Sequence, residues 1–172
     1  ALIVRTSKVK VSANAGEEVL DNTCKAIVNK LARLQGENPF KDNGNGTITD
    51  KRTNLIWQKQ PGPKSMEWKD AKKYAEKLRL AGNRNWRLPT IDEFKALLKG
   101  HLFENVFNDN VDAPYKMLEK SGFKNIGRKF FWSSTNNQRD DDFAWIVQMG
   151  EGGINVADKD LNYNHYALCV RN

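Results

Sequence analysis

The sequence predicts an α+β domain in which helical segments come first and a run of antiparallel strands follows. Two amphipathic helical segments lie between residues 65 and 98, and β-type segments fill the chain from Phe130 onward. Helices and strands grouped in separate parts of a chain favour α+β over a wound parallel sheet. With 172 residues, of which 39% are hydrophobic, a soluble globular domain with a short extension is the expected organisation.

Residues 1–38 are predicted to form an N-terminal extension, and residues 39–172 the main domain. From Glu17 to Gln35 the apolar positions recur at three- and four-residue spacing, which predicts an amphipathic helix. These positions are Leu20, Cys24, Ile27, Val28, Leu31 and Leu34. Gly36, Asn38 and Pro39 end the helix. Its apolar face can pack on the main domain or mediate contact with a protein partner, and the sequence leaves both open.

A β-hairpin and a buried strand are expected at the start of the main domain. Two Asn-Gly pairs at 43–46 lie between Phe40 and Ile48, and both residue types accept the positive φ values of a type I′ turn. The glycines supply no oxygen ligand at the alternating positions of a calcium loop, so turn formation is the preferred interpretation. Leu55–Trp57 is predicted to be the buried strand.

Two helices are predicted next. Ser65 is expected to cap the first, whose apolar stripe is Trp68, Ala71, Tyr74, Ala75 and Leu78. The second begins at Thr90, where Thr90 and Glu93 have the spacing of a capping box just after Pro89. Gly100 is the expected residue after its end.

Strands dominate the rest of the chain. Residues 101–129 are predicted to be loops with one short helix, and residues 130–135 a strand. Residues 143–149 alternate, with Phe143, Trp145, Val147 and Met149 expected on one face. The glycine-rich 151–153 turns into a strand at Ile154–Val156, and His165–Arg171 alternates as a final strand.

The charge distribution favours an anionic partner. The net charge is +7, and residues 1–100 contribute +9 whereas residues 101–172 contribute −2. Such an excess attracts polyanions, although lysines that merely solvate a surface are the more common explanation. No helix-turn-helix, zinc finger or RNP-like strand supports nucleic acid as the partner. No apolar run approaches the ~20 residues of a membrane span.

The sequence offers little for catalysis. The two histidines, His101 and His165, form no zinc motif, and there is no nucleophile elbow or phosphate-binding glycine loop. The acidic run Asp140–Asp142 is expected to be a solvated loop. A protein that is not an enzyme and needs no cofactor or metal is therefore expected.

Residues suited to binding sugars or sulfates occur in two places: a row of lysines on the first predicted helix of the main domain, and residues 132–166. Planar amides, basic groups and aromatic faces are the groups that hold such ligands, and Arg and Lys grip sulfate or carboxylate through charge-assisted hydrogen bonds. The candidate ligand-binding residues are Lys69, Lys72, Lys73, Lys77, Arg139, Asn155, Asn162, Tyr163 and His165. The expected partner is an anionic or sulfated polysaccharide.

Five stretches resemble one bacterial family in order and spacing. They are DNGNGTITDKRTNLIWQK (42–59), EWKDAKKYAEKLRLAGNRNWRLPTIDEFKALL (67–98), FWSST (131–135), FAWIVQMGEGGIN (143–155) and YALCVR (166–171). Together they resemble the Lcl-type C-terminal domain, named for a collagen-like adhesin, over about residues 39–171. The combination of WRLPT, WSST and a terminal CVR is a specific sign of this resemblance.

The resemblance implies a C-type-lectin-like fold, related to that of the formylglycine-generating enzyme. In that fold the first and last strands pair, two helices flank small twisted sheets, and loops between the late strands carry ligands. The namesake domain is associated with sulfated glycosaminoglycans at the cell surface. A periplasmic, extracellular or cell-surface binding module is thereby implied, and the alternative is a structural subunit of a pilus or adhesin without a sugar site. The motif residues expected to be structural are Trp57, Trp86, Leu88, Pro89, Trp132, Ser133, Ser134 and Trp145.

One departure from the family concerns cysteine. Members usually carry a cysteine near the position of Ala75, placed to pair with the cysteine of the terminal CVR. Here Cys169 loses that partner, so it is either a buried thiol or bonded to Cys24. Neither cysteine is in an electropositive turn that would activate it, which speaks against chemistry of the formylglycine-generating type.

Overall fold

The structure, a computed structural model, describes residues 38–98 and 113–172. The predicted helix at 17–35, Cys24 and Gly100 lie outside the described residues. The described helices are α1 (Trp68–Lys77), α2 (Ile91–Leu97) and α3 (Pro114–Lys120). The described strands are β1 (Phe40–Asp42), β2 (Thr47–Asp50), β3 (Ile56–Gln58), β4 (Phe130–Asn136), β5 (Phe143–Gln148), β6 (Gly153–Asp158), β7 (His165–Tyr166) and β8 (Val170–Arg171). This content confirms the α+β class, and α3 is the short helix expected within 101–129. The finer C-type-lectin-like assignment stays a prediction.

The first sheet joins the start of the domain to its end. Its strand order is β1-β2-β3-β8, and every pairing is antiparallel. Trp57 is paired with Val170, so the segment predicted at Leu55–Trp57 does lie beside the C-terminal segment. The strand that pairs with the last one is the third, however, and β1 lies at the opposite edge.

The hairpin of β1 and β2 is confirmed, but its turn differs from the prediction. Positive φ occurs at Gly44 (73°) and Gly46 (84°) and not at the two asparagines, so a four-residue loop replaces the type I′ turn. The Asn43 side chain donates to the hydroxyls of Thr47 and Thr49, both at 2.9 Å. These bonds fix the loop against β2, and within the loop only the two glycines have positive φ, which glycine adopts without steric cost.

The second sheet contains a parallel pair that the sequence did not predict. Its order is β6-β5-β4-β7, and β7 runs parallel to β4 with Phe131 opposite Tyr166. The predicted continuous strand His165–Arg171 is therefore wrong, because β7 belongs to this sheet and β8 to the other. The linking residues 167–169 are buried, and their carbonyls accept from Gly62 and Gln58. Those bonds carry the chain across from one sheet to the other.

Apolar side chains cover both faces of β5, and for this reason buried and exposed residues do not strictly alternate along the strand. Val147 and Met149 lie in one buried cluster, against which Trp145 packs, while Ala144 and Ile146 lie in a second cluster. Phe143 belongs to neither cluster. The strand is thus a central layer between two apolar groups of side chains, and not a half-exposed strand.

Helix α1 begins later than predicted. Its N-cap is Glu67, without a side-chain cap, and Ser65 is not the capping residue. The backbone N–H groups of Met66 and Trp68 donate to the carbonyls of His165 and Lys159, at 2.8 and 2.9 Å. Because tertiary bonds hold this segment extended, the helix starts only where they end. Ala71 and Ala75 are the buried positions of its predicted stripe.

Helix α2 has the predicted capping box. The Thr90 hydroxyl accepts from the Glu93 N–H at 3.2 Å, and the Glu93 carboxylate accepts from the Thr90 N–H at 2.8 Å. Arg87 adds two bonds to the same carboxylate, at 2.7 and 2.6 Å. Burial raises the pKa of Glu93, but the bonds from Arg87 and Thr90 outweigh it and leave the pKa below 4.5. The carboxylate therefore stabilises the fold in its ionised form.

A buried carboxylate at the end of β2 forms an ion pair that connects β2 to α2. Asp50 is fully buried and accepts from the Arg52 guanidinium at 2.9 and 2.8 Å. The same guanidinium donates to the Leu97 carbonyl at 3.1 Å and lies 4.9 Å from the centre of the Phe40 ring. Arg52 thus joins the first hairpin to the end of α2.

Cys169 is a free, buried cysteine, and burial raises its pKa to about 12. This matches the buried-thiol alternative of the sequence, while Cys24 is outside the part of the chain that the structure describes. None of the described helices is long and apolar enough to cross a bilayer.

Replacing Asp50 is expected to weaken the fold strongly. Asp50→Asn removes the charge that binds the Arg52 fork, and hydrogen bonds to charged groups contribute about 1.5–3 kcal/mol. We expect a loss of about 2–3 kcal/mol in the free energy of unfolding, measured by urea denaturation. The matched control is Asp70→Asn, which breaks the exposed pair with Lys73 and should change little. Equal losses in the two variants would contradict the assignment.

Glu93 is expected to make stability fall in acid. Its folded-state pKa is depressed, so its contribution is complete above pH 4.5 and is lost as the pH falls through the folded-state value. Glu93→Gln should remove this part of the pH dependence, measured as the free energy of unfolding between about pH 6 and pH 3. Glu76→Gln, on the exposed face of α1, is the control. An unchanged acid slope in Glu93→Gln would count against the ion pair.

Candidate functional site

A cleft of about 840 Å³ lies among the described residues. We call it the amide cleft. Its walls are the end of β4 with the following loop, the start of α2, and one face of β5 and β6. It is lined by Ile91, Asp92, Lys95, Thr135, Asn136, Asn137, Gln138, Arg139, Trp145, Ile154 and Val156.

Hydrogen bonds between β4 and α2 fix the position of these walls. The Thr135 hydroxyl accepts from the Ile91 N–H at 3.0 Å, and the Ser134 N–H donates to the Pro89 carbonyl at 2.7 Å. The register of β4 against β5 also shifts between Trp132 and Asn136. A bulge of this kind redirects a strand end and the side chains it carries.

The floor of the cleft is apolar and includes an aromatic ring. Trp145 is paired with Val156, and Val147 with Ile154, so Trp145, Val156 and Ile154 share one face of the sheet. Trp145 is half-buried: it packs against the core and also lines the cleft. The sequence assigned it to the core alone, and the structure corrects that assignment.

The rim offers unused hydrogen-bonding groups. The side-chain amides of Asn136 and Gln138 and the guanidinium of Arg139 have no partner among the described residues. The Asn137 side chain accepts from the Arg139 N–H at 3.1 Å, which shapes the turn. Asp92 and Lys95 pair with each other at 3.0 Å. Amide donors and acceptors and one guanidinium therefore remain available to a ligand.

The second surface is a groove of about 370 Å³ beside α1, which we call the lysine groove. It is lined by Lys64, Ser65, Met66, Glu67, Asp70, Lys73, Tyr74, Lys77 and Asn162. Lys73 pairs with Asp70 at 3.2 Å, while Lys64 and Lys77 have no ion pair within the described part of the chain. Three predicted site residues, Lys73, Lys77 and Asn162, come together here.

The other two predicted lysines lie away from this groove. The Lys72 ammonium lies 4.5 Å from the centre of the Trp68 ring, and the Lys159 ammonium 4.6 Å from the same ring. Lys69 is exposed on α1 and lines neither surface. The lysine row of the sequence is therefore divided around the helix.

The predicted residues from the late loops are also separated. Arg139 lines the amide cleft. Asn155 lies on the opposite face of β6 from Ile154 and Val156, and its side chain accepts from the Val156 N–H at 2.9 Å. Tyr163 is 81% exposed and lines neither surface. The nine candidate residues thus do not form a single site.

His165 lies in the core and not on a binding loop. It is 7% exposed and stacks against Phe130 and Trp132, with ring centroids 5.2 and 4.7 Å away. Burial lowers its pKa from 6.5, partly opposed by the Tyr163 backbone. The residues before His165 in sequence are polar and suggest a loop. The packing arises because β7 begins at His165 and pairs there with Phe130 of β4.

Sequence reasoning missed most of the amide cleft. Three amides and an arginine occupy residues 136–139, from the last residue of β4 into the loop after it, and this run was the available signal. That this run lies beside Trp145 could not be predicted without knowing the register of β4 against β5. Within residues 38–98 and 113–172 there is no group of three or more His, Cys, Asp or Glu side chains that could hold a metal ion.

Comparison with known proteins bears on most of the domain. A family model described as the Lcl C-terminal domain matches residues 46–171. The matched range contains β2 to β8 and every residue of the amide cleft and the lysine groove. A search of the curated proteins gave no match.

His165 is expected to control stability near neutral pH. Because its folded-state pKa is lowered, its contribution is complete above about pH 6.5 and is lost as the pH falls toward the folded-state value. His165→Gln should remove this dependence between about pH 7 and pH 5, and should also lower the free energy of unfolding at pH 7 as ring stacking is lost. Urea denaturation across this range measures both effects, and an unchanged slope would contradict the buried, neutral histidine.

Proposed function

The chain belongs to the Lcl C-terminal domain family, and from this premise we propose that it is a non-catalytic binding module for carbohydrate or polyanion, including sulfated polysaccharide. The proposal includes export to the periplasm or the cell surface, in line with the adhesin family that the sequence resembles. The main domain, residues 39–172, carries the binding surfaces.

The amide cleft is the observation that carries the proposal. Saccharide rings have apolar C–H faces that pack on an aromatic ring, and hydroxyls that pair with planar amides. The cleft presents the half-buried indole of Trp145 beside the unpaired amides of Asn136 and Gln138. A few polar groups around an apolar floor are typical of ligand sites in proteins.

The lysine groove supports the polyanion part of the proposal. Lys64 and Lys77 have no ion-pair partner among the described residues, so their ammonium groups are available to sulfate or carboxylate. The chain's net charge of +7 adds long-range attraction for such polymers. The alternative of a pilus or adhesin subunit rests on the apolar stripe at 17–35, outside the described residues, and stays a prediction.

The test is a glycan array with sulfated and unsulfated polymers. We expect the full chain to bind at least one polymer class, and Lys73→Ala/Lys77→Ala to weaken retention on sulfated polymers through the loss of two charges. Lys116→Ala and Arg84→Ala, at exposed positions outside both surfaces, are the matched controls. Binding to no glycan in low-salt buffer would overturn the proposed function.

A further inference from the structure

We propose that the amide cleft takes an uncharged saccharide, and that anionic ligands are held separately in the lysine groove. This inference rests on the proposed function and names the ligand class of its main site. The sequence predicts one anionic or sulfated polysaccharide as the partner, whereas this inference gives the two surfaces ligands of different chemistry.

Charges around the amide cleft do not suit a polyanion. Asp92 and Lys95 neutralise each other, which leaves Arg139 as the free cation of the lining. The next three residues, Asp140–Asp142, are all exposed carboxylates. The Lys159 ammonium donates to the Asp141 backbone carbonyl and so adds one positive charge beside the run. Three carboxylates against Arg139 and the Lys159 ammonium leave this loop with one net negative charge.

The carboxylates are fixed beside Arg139 by backbone bonds. The Phe143 N–H donates to the Asp140 carbonyl at 3.2 Å, and the Lys159 N–H to the Asp142 carbonyl at 2.9 Å. The Asp142 N–H donates to the Asp140 side chain at 3.0 Å. Since the loop is tied to both β5 and the residue after β6, these charges stay next to Arg139 at the margin of the cleft.

This arrangement discriminates by charge. A sulfated chain in the cleft would lie beside this acidic loop, and like-charge repulsion opposes its binding. An uncharged saccharide meets no such repulsion, and its hydroxyls pair with the amides of Asn136 and Gln138 and with Arg139. The lysine groove carries three lysines against Glu67 and Asp70, and two of those lysines have no ion-pair partner among the described residues.

The experiment compares two kinds of probe on the full chain. The uncharged probes are chitotriose, maltotriose, cellotriose and a neutral galactan fragment, and the anionic probe is a heparin tetrasaccharide. Each is titrated calorimetrically at low and high salt, because exposed charges are screened within about 8 Å at 0.15 M and about 3 Å at 1 M. The backbone and indole N–H resonances of Trp145 report by NMR whether the cleft is occupied.

We expect an uncharged probe to bind with little salt dependence and to shift the Trp145 resonances. Gln138→Ala should weaken it about fivefold, the effect of one neutral hydrogen bond. Lys73→Ala/Lys77→Ala should leave it unchanged but weaken the heparin fragment, whose binding should fall at high salt. The control Gln60→Ala, at an exposed position outside the cleft, should affect neither.

Neutralising the acidic run tests the discrimination directly. Asp141→Asn/Asp142→Asn should leave the uncharged probe unaffected and allow the heparin fragment to shift the Trp145 resonances. If only the heparin fragment binds, and it does so in the unaltered cleft and is lost in Arg139→Ala, the inference is overturned while the proposed function stands. If no probe of either class binds, the proposed function and the inference both fall.

Discussion

The insertion of the C-terminal strand between β3 and the Arg87 segment is the constraint on which the rest of the structure depends. Val170 pairs with Trp57 on one side. On the other side it exchanges two backbone bonds with Arg87, at 3.0 and 2.9 Å. The last residues of the domain are thus hydrogen-bonded on both sides, which covers the edge that β8 would otherwise expose at Val170.

The pairing of the C-terminal strand with Arg87 is connected to the amide cleft by a short series of hydrogen bonds. The Arg87 side chain binds Glu93, Glu93 caps α2, and the first N–H of α2 donates to Thr135 at the cleft wall. A ligand site on such fixed elements needs little reordering on binding, and less conformational entropy is lost. The same series of contacts that begins at the C-terminal strand therefore fixes a wall of the cleft.

Net charge is a property of the whole chain, whereas binding depends on where the charges lie. The excess of lysine on α1 and the acidic run after β4 belong to different surfaces. The sequence predicted both Lys73 and Arg139 as ligand-binding residues, and the fold places them on separate surfaces. Charge complementarity affects specificity more than affinity, so this separation bears on which ligand each surface selects.

The sequence by itself determined the features that depend on neighbouring residues. The Thr90–Glu93 capping box, the hairpin at 43–46 and the α+β class follow from contacts within a few residues, and the structure has all three. Only the tertiary structure decided the split of His165–Arg171 between two sheets, the start of α1 at Trp68, and the burial of His165. An alternating pattern is the same whichever sheet a strand joins, and hydrogen bonds from distant residues determine the choice. The amide cleft was likewise out of reach, because it needs the β4–β5 register that brings Trp145 beside the amides.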